Sequence, residues 1–204
     1  TIRYLDKKVN GKNIISIKKS KKRLRKNLNT KDLISIKGKK ILKVKRFAKY
    51  ILIKLSSLSF IIIHLGMSGK LFLVRNKDKL LFKTSFYYNL NILKKHNHIF
   101  FLLNNGYTLI YNDVRRFGFF KIYNISEFSK IPFLKKLGYE PFDRKFNSKY
   151  FKNFIKNKNK NIKNLLMDQT FVCGLGNIYV NEILFASKIN PLKCCNNLSK
   201  KNIK

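Results

Sequence analysis

The chain has 204 residues, is 45% hydrophobic, and carries a formal net charge of +37 from 46 lysines and arginines against 9 acidic residues. That apolar content excludes a disordered basic tail, and the length suffices for one or two domains with a true core. A field of this size favours a polyanion, nucleic acid before an anionic membrane, although Lys, Asn, Ile, Phe and Tyr are overused together as AT-rich coding would produce, which accounts for part of the lysine.

Residues 1–10 read as the tail of a helix stopped by Gly11, and the weak alternation of 14–17 predicts a strand. The basic run KKSKKRLRK, 18–26, is a solvated loop or, alternatively, a phosphate-facing one. Residues 33–36 and 39–45 are short β-like pieces around Gly38. Residues 47–53 are expected as one strand, and 59–65, rich in β-branched side chains, as another. Gly66-Met67-Ser68-Gly69 is a turn that pushes a methionine outward. Strands are expected at 70–74, 80–88, 99–103, 107–111 and 117–123, with Asn104-Asn105-Gly106 as a hairpin signal. Short strands at this spacing predict an antiparallel β-sandwich over 1–125, and 126–146 reads as a linker. Periodicity over 147–204 is helical, so the fold class is α+β.

The last segment reads as helix, glycine turn, helix. Leu165, Leu166 and Met167 close an apolar-faced helix, Asp168-Gln169-Thr170 break it, and Phe171 and Val172 are anchors inside the turn. Gly174-Leu175-Gly176-Asn177 opens a second helix that Pro191 is expected to stop. A helix starting after glycines presents unpaired N–H groups and a partial positive charge, which makes an anion site; two packed core helices are the alternative.

Asn112-Asp113-Val114-Arg115-Arg116-Phe117-Gly118 joins two strands. Arginine grips phosphate or a base edge bidentately, and an exposed Phe117 wedges between bases; an Asp113–Arg ion pair with Phe117 in the core is the competing reading. Met67 is a second wedge candidate or a core residue. Lys49, among apolar neighbours, can have a lowered pKa suited to acid–base work, or snorkel to water. His96 and His98, two apart, fall on one strand face, where a phosphate contact or a structural role is preferred to a metal. Cys173, Cys194 and Cys195 form no CxxC pair, so reduced thiols in a cytoplasm are expected, with no metal and no cofactor. The apolar run 60–65 is too short to cross a bilayer, so no membrane is expected.

The blocks FAKYILIKL, IIIHLGMSGKL, KKHNHI, DVRRFGFF, LGYEP and IKNLLMDQTFVCGLGNIYVNEILF follow one another in one order. In that order the chain resembles the Fpg/Nei family of bacterial DNA glycosylases over nearly its whole length, and the Met67, Arg115 and Phe117 set fits the purine branch better than the pyrimidine-specific Nei branch. The resemblance implies a β-sandwich and a helix–two-turn–helix domain flanking a basic cleft for damaged double-stranded DNA. It implies a base-excision repair glycosylase and AP lyase that flips out an oxidised purine such as 8-oxoguanine or formamidopyrimidine, acting as a monomer in the bacterial cytoplasm at the nucleoid. Carried over by position, Lys49 would donate the proton for β-elimination, and Met67, Arg115 and Phe117 would fill the vacated base position, with Arg115 facing the orphaned cytosine. His96, Arg115, Arg116, Lys158, Lys163 and Asn177 would contact DNA. The family's Pro-Glu start and its four-cysteine zinc finger have no match here, where residue 1 is Thr and the last is Lys204. The chain therefore reads as processed or as a fragment, with no normal glycosylase turnover expected of it and no zinc. The alternatives are a non-catalytic damaged-DNA-binding remnant, a Nei-type enzyme, or a basic RNA-binding protein of ribosomal type.

Overall fold

The computed structural model describes residues 2–22, 24, 25, 29–75, 79–83 as backbone, and 93–203. They form two units, Thr1–Phe128 and Ser129–Lys204. In the first, helix α1 (Ile2–Val9) leads into strand β1 (Ile14–Lys19) and helix α2 (Thr30–Ser35). Strands β2 (Ile41–Phe47), β3 (Tyr50–Leu55), β4 (Ser59–His64), β5 (Gly69–Arg75), β6 (Lys79–Lys83), β7 (Asn97–Leu103), β8 (Tyr107–Asp113) and β9 (Phe119–Asn124) follow. They make a five-stranded sheet in the order β1-β7-β8-β5-β6 and a four-stranded sheet in the order β2-β3-β4-β9. Every pairing is antiparallel.

The core lies between the sheets because alternate residues point inward. Ile51, Ile53 and Leu55 of β3 meet Leu71 and Leu73 of β5, Ile99, Phe101 and Leu103 of β7, and Leu109 and Tyr111 of β8 in one cluster. Leu5 and Val9 of α1 join it. On β4 the alternation is masked, because residues on both faces are buried. Phe60, on the face away from that cluster, lies against Tyr123 and Phe128.

Two sequence expectations change here. Residues 47–53 are not one strand but a hairpin: Phe47 pairs with Tyr50, and Ala48-Lys49 make a two-residue turn. Ala48 takes φ +49°, a left-handed value in which alanine is uncommon, so no glycine or asparagine marks the turn. Residues 33–36 belong to α2 and its C-cap, not to a strand. The Asn29 side chain caps α2 by accepting from Lys31 N–H, and Leu33 and Ile36, three apart, are buried on one helical face. Of the strand expected at 80–88, the part within the described residues is found as β6 (Lys79–Lys83), and 84–88 lie outside them.

The second unit holds helices α3 (Pro132–Lys135), α4 (Ser148–Ile155), α5 (Ile162–Met167), α6 (Asn177–Ala186) and α7 (Lys200–Ile203). Asn147 and Asn161 cap α4 and α5 with their side chains. The core is built on Phe171, fully buried, stacked on Tyr150 at 5.8 Å and met edge-on by Phe151 at 4.9 Å. Helix α6 stops at Ala186, before Pro191, as the chain turns left-handed at Lys188 (φ +52°). Of the stretch read as a linker, 129–146 falls in this unit. There Gly138 N–H donates to Gln169 O, and Tyr139 bridges to Val172. No helix among the described residues is long and apolar enough to cross a membrane.

Candidate nucleic-acid interface

Strand register brings four connections of the first unit to one end of the sandwich. Tyr50, at the β2–β3 turn, pairs with His64 at the end of β4, and His64 pairs with Phe119 at the start of β9. In the other sheet Gly69, opening β5, pairs with Asp113, closing β8, and Asn97, opening β7, pairs with Asn112. The connections that carry Lys49, Met67, His96 and Arg115–Phe117 therefore share an edge.

Lys49 is half-buried on its turn, and burial lowers its pKa. Its neighbour His64 stacks on Phe119 at 5.7 Å and accepts the Gly66 N–H at Nδ1, 3.1 Å away. That bond requires an unprotonated Nδ1, so the ring is neutral with its proton on Nε2. Burial first, then the charges of Lys49 and Arg25, hold the His64 pKa below its usual value.

Two loops meet beside it. The turn between β4 and β5 closes with Gly69 N–H donating to Leu65 O at 2.9 Å, leaving Met67 76% exposed. Gly66, at φ +64°, lies so close to the β8–β9 loop that a side chain there would come within 2.9 Å of Gly118 N. In that second loop Arg116 is left-handed (φ +58°), and Phe117 is 45% exposed. The Arg115 guanidinium sits 4.6 Å from the Phe117 ring centroid and donates to Met67 Sδ at 3.5 Å. Met67, Arg115 and Phe117 thus form one exposed cluster.

Under it is the fully buried Asp113. Its carboxylate accepts from Ser68 Oγ, from Tyr111 Oη at 2.8 Å and from Gly118 N–H at 2.9 Å. Burial pushes the acid up, but these donors and the Arg116 N–H outweigh it, and the net shift is downward. The ion pair with arginine considered for Asp113 is replaced by hydroxyl and backbone donors.

The basic run reaches the same edge. Arg25 N–H donates to Arg116 O at 3.2 Å, and Lys22 Nζ to Lys95 O at 3.1 Å. His96 ends a 3-10 turn, Lys94–His96, where slight desolvation and then Lys95, Lys22 and Arg116 lower its pKa. His98 does not share a face with it, contrary to the reading from spacing. His98 is buried in β7, with Nε2 2.8 Å from Asp113 O and Nδ1 3.2 Å from Ser20 Oγ, whereas His96 belongs to the 3-10 turn before that strand.

In the second unit Asn177 opens α6, exposed, behind a Gly176 N-cap that offers no side chain to the helix amides. Gly174 supplies the left-handed φ, +95°. The Gln169 amide braces this turn, donating to Met167 O and Leu175 O and accepting from Gly174 N–H. Lys163 stands on α5, which packs on α6. Lys158, before α5, holds its ammonium 4.0 Å from the Phe154 ring centroid. Among the described residues no group of three His, Cys, Asp or Glu side chains could hold a metal. Sequence reasoning did not single out His64, Ser68, Tyr111 or Arg25; the glycines flanking Ser68 were the available signal.

Residues 1–120 match the family described as "Formamidopyrimidine-DNA glycosylase N-terminal domain", and 137–204 the "Formamidopyrimidine-DNA glycosylase H2TH domain". This chain belongs to the formamidopyrimidine-DNA glycosylase family. Among curated members, that of Lactobacillus helveticus is 42% identical over 164 residues, covering 79% of this chain and 54% of the relative. That of Ureaplasma parvum is 41% identical over 163 residues, covering 80% and 55%. The chain thus spans about half the length of the curated formamidopyrimidine-DNA glycosylases it matches. Two solved structures of Lactococcus lactis Fpg are 32% identical with a TM-score of 0.85, covering 99% of this chain. One is a complex with abasic-site DNA, in which 69% of the Fpg chain is matched; the other is a complex with oxidised-pyrimidine DNA, with 71% matched. The α+β class with a β-sandwich and a helix–two-turn–helix domain is the fold of this family.

Proposed function

We propose that the chain serves DNA base-excision repair by recognising damaged double-stranded DNA, with the DNA-binding frame and the proton-donating lysine of a glycosylase and AP lyase of the oxidised-purine type. One observation carries this reading: Met67, Arg115 and Phe117 cluster, exposed, on two loops pressed together over a buried carboxylate. A flipped nucleotide leaves a gap in the stack, and apolar side chains backed by a guanidinium are suited to fill it. Arg115 supplies donors for the unpaired base opposite. His96, Arg116, Lys158, Lys163 and Asn177 take backbone phosphates, with Asn177 adding its amide to the open α6 N-terminus. Lys49 supplies a proton during elimination at the abasic sugar, a task helped by the burial that weakens its hold on that proton.

The test is binding of the monomeric protein to a duplex with one central abasic analogue and to the same duplex intact, at two salt concentrations. The wild type should prefer the first. Met67→Ala and Phe117→Ala should each cut that preference about tenfold, since a stacking side chain is worth roughly 1–3 kcal/mol. Lys163→Ala should weaken both duplexes alike and flatten the salt dependence. No preference in the wild type would refute the reading. Oxidised-purine and oxidised-pyrimidine duplexes belong in the panel, because the Lactococcus lactis relative is known in complex with an oxidised pyrimidine. Borohydride trapping on the same duplexes reports whether a covalent base-excision intermediate forms.

A further inference from the structure

The wedge cluster sits on two separate loops, and besides the Arg115–Met67 contact at their tips a hydroxyl ties the loops together at their base. Ser68 Oγ donates to Asp113 Oδ1 and accepts the Arg115 N–H at 3.1 Å. One side of that bridge is the residue after Met67; the other is the backbone of Arg115. Asp113 is itself held from other directions, by Tyr111 and Gly118 on Oδ2 and by His98 on its carbonyl. The carboxylate is therefore a fixed post, and Ser68 ties both loops to it. Resting on the function proposed above, we infer that Ser68 is a positioning residue that makes Met67, Arg115 and Phe117 enter the duplex as one preorganised block.

The physical reason is entropic. Methionine and arginine are rotamer-rich, and ordering them on binding weakens affinity unless the loops are already set. Intact duplex, bound through phosphate contacts alone, does not need the block. Ser68 thus bears on discrimination rather than on affinity for DNA in general.

Ser68→Ala removes the tie but leaves Asp113 its Tyr111 and Gly118 donors, so the fold is retained. The ratio of abasic-analogue to intact-duplex affinity should fall about tenfold in Ser68→Ala, as preorganisation is lost. Ser68→Thr, which keeps the hydroxyl, should restore it. Ser68→Ala added to Phe117→Ala should lower the ratio by less than twofold more, because the block is already broken. Hydrogen exchange reads the tie without DNA: the Arg115 amide should be protected in the wild type and in Ser68→Thr, and released in Ser68→Ala. The inference is overturned by an Arg115 amide that exchanges freely in the wild type, or by a ratio within twofold of wild type in Ser68→Ala. It is equally overturned if Ser68→Ala weakens both duplexes together, which marks a purely structural hydroxyl. A wild type without preference for the abasic analogue removes the functional reading instead, whatever the exchange data show.

Discussion

Gly118→Ala is the most informative single change for the loops. The added methyl would be driven into Tyr111 Oη and to 2.5 Å from the His64 carbonyl oxygen. Both obstacles are deep in the fold, since Tyr111 is fully buried and His64 is a strand residue. Overpacking of this kind costs roughly 1–3 kcal/mol. If Tyr111 yields, its charge-assisted bond to Asp113 goes with it, adding about 1.5–3 kcal/mol, so the total is about 2.5–6 kcal/mol. Tyr111→Phe alone forfeits that bond while Asp113 keeps Ser68 and Gly118, and should cost about 1.5–3 kcal/mol. The double variant should be less destabilised than the sum by about 1.5–3 kcal/mol, because the bond is lost only once. The chain has no tryptophan, so urea unfolding is followed by far-UV circular dichroism, with hydrogen exchange on β8 and β9 separating the first unit from the second. A Gly118→Ala protein within 0.5 kcal/mol of wild type, or a strictly additive cycle, would refute this account.

Acid should destabilise the protein in two steps. His64 and His96 have folded pKa values below their usual 6.5, so the unfolded chain takes up protons first and stability falls as the pH drops below that value. Asp6, Asp113 and Asp168 lie below the ordinary 3.8, so what they contribute is present above that pH and is lost as the pH falls through their depressed values. Thermal midpoints between pH 2.5 and 8 check both steps, and Asp113→Asn should remove part of the lower one; a flat profile contradicts the assignment. Phe171→Ala should cost about 3–5 kcal/mol, since it empties the centre of the second unit, and should leave exchange protection in the first unit unchanged. Gly174→Ala, at φ +95°, should cost about 1–2 kcal/mol and weaken binding of intact and abasic duplex together, by shifting the α6 N-terminus.

Local periodicity made the strands of the sandwich and the helices around Phe171 readable, because one face of each is buried and the period follows from that. It failed at the Phe47–Tyr50 hairpin for a physical reason. A two-residue turn is normally announced by glycine or asparagine, but here Ala48 takes the left-handed conformation, with the Arg46 guanidinium donating to its carbonyl at 2.8 Å. Lys49 still stands out in the sequence, since a lysine in an apolar run is unusual whether the run is straight or folded back. The α2 error has the opposite origin. Its helix is six residues long, so periodicity is reduced to one buried pair, Leu33 and Ile36, and the Asn29 cap is the other mark that distinguishes it from extended chain.

Asp113 is the sharper case. Its neighbours in the chain are arginines, which invites an ion pair, yet the partner that decides its role lies 45 positions away, at Ser68. That partnership is set by register: pairing of Gly69 with Asp113 puts the residue before Gly69 beside the carboxylate. A slip of one residue would turn Asp113 to the other face and leave a buried carboxylate with no donor, so the hydrophobic pattern that holds β5 against β8 also assembles the clasp. The exposed tips could be read from residue type and glycine flanks alone; the base that aims them could not, because it exists only once the strands are paired.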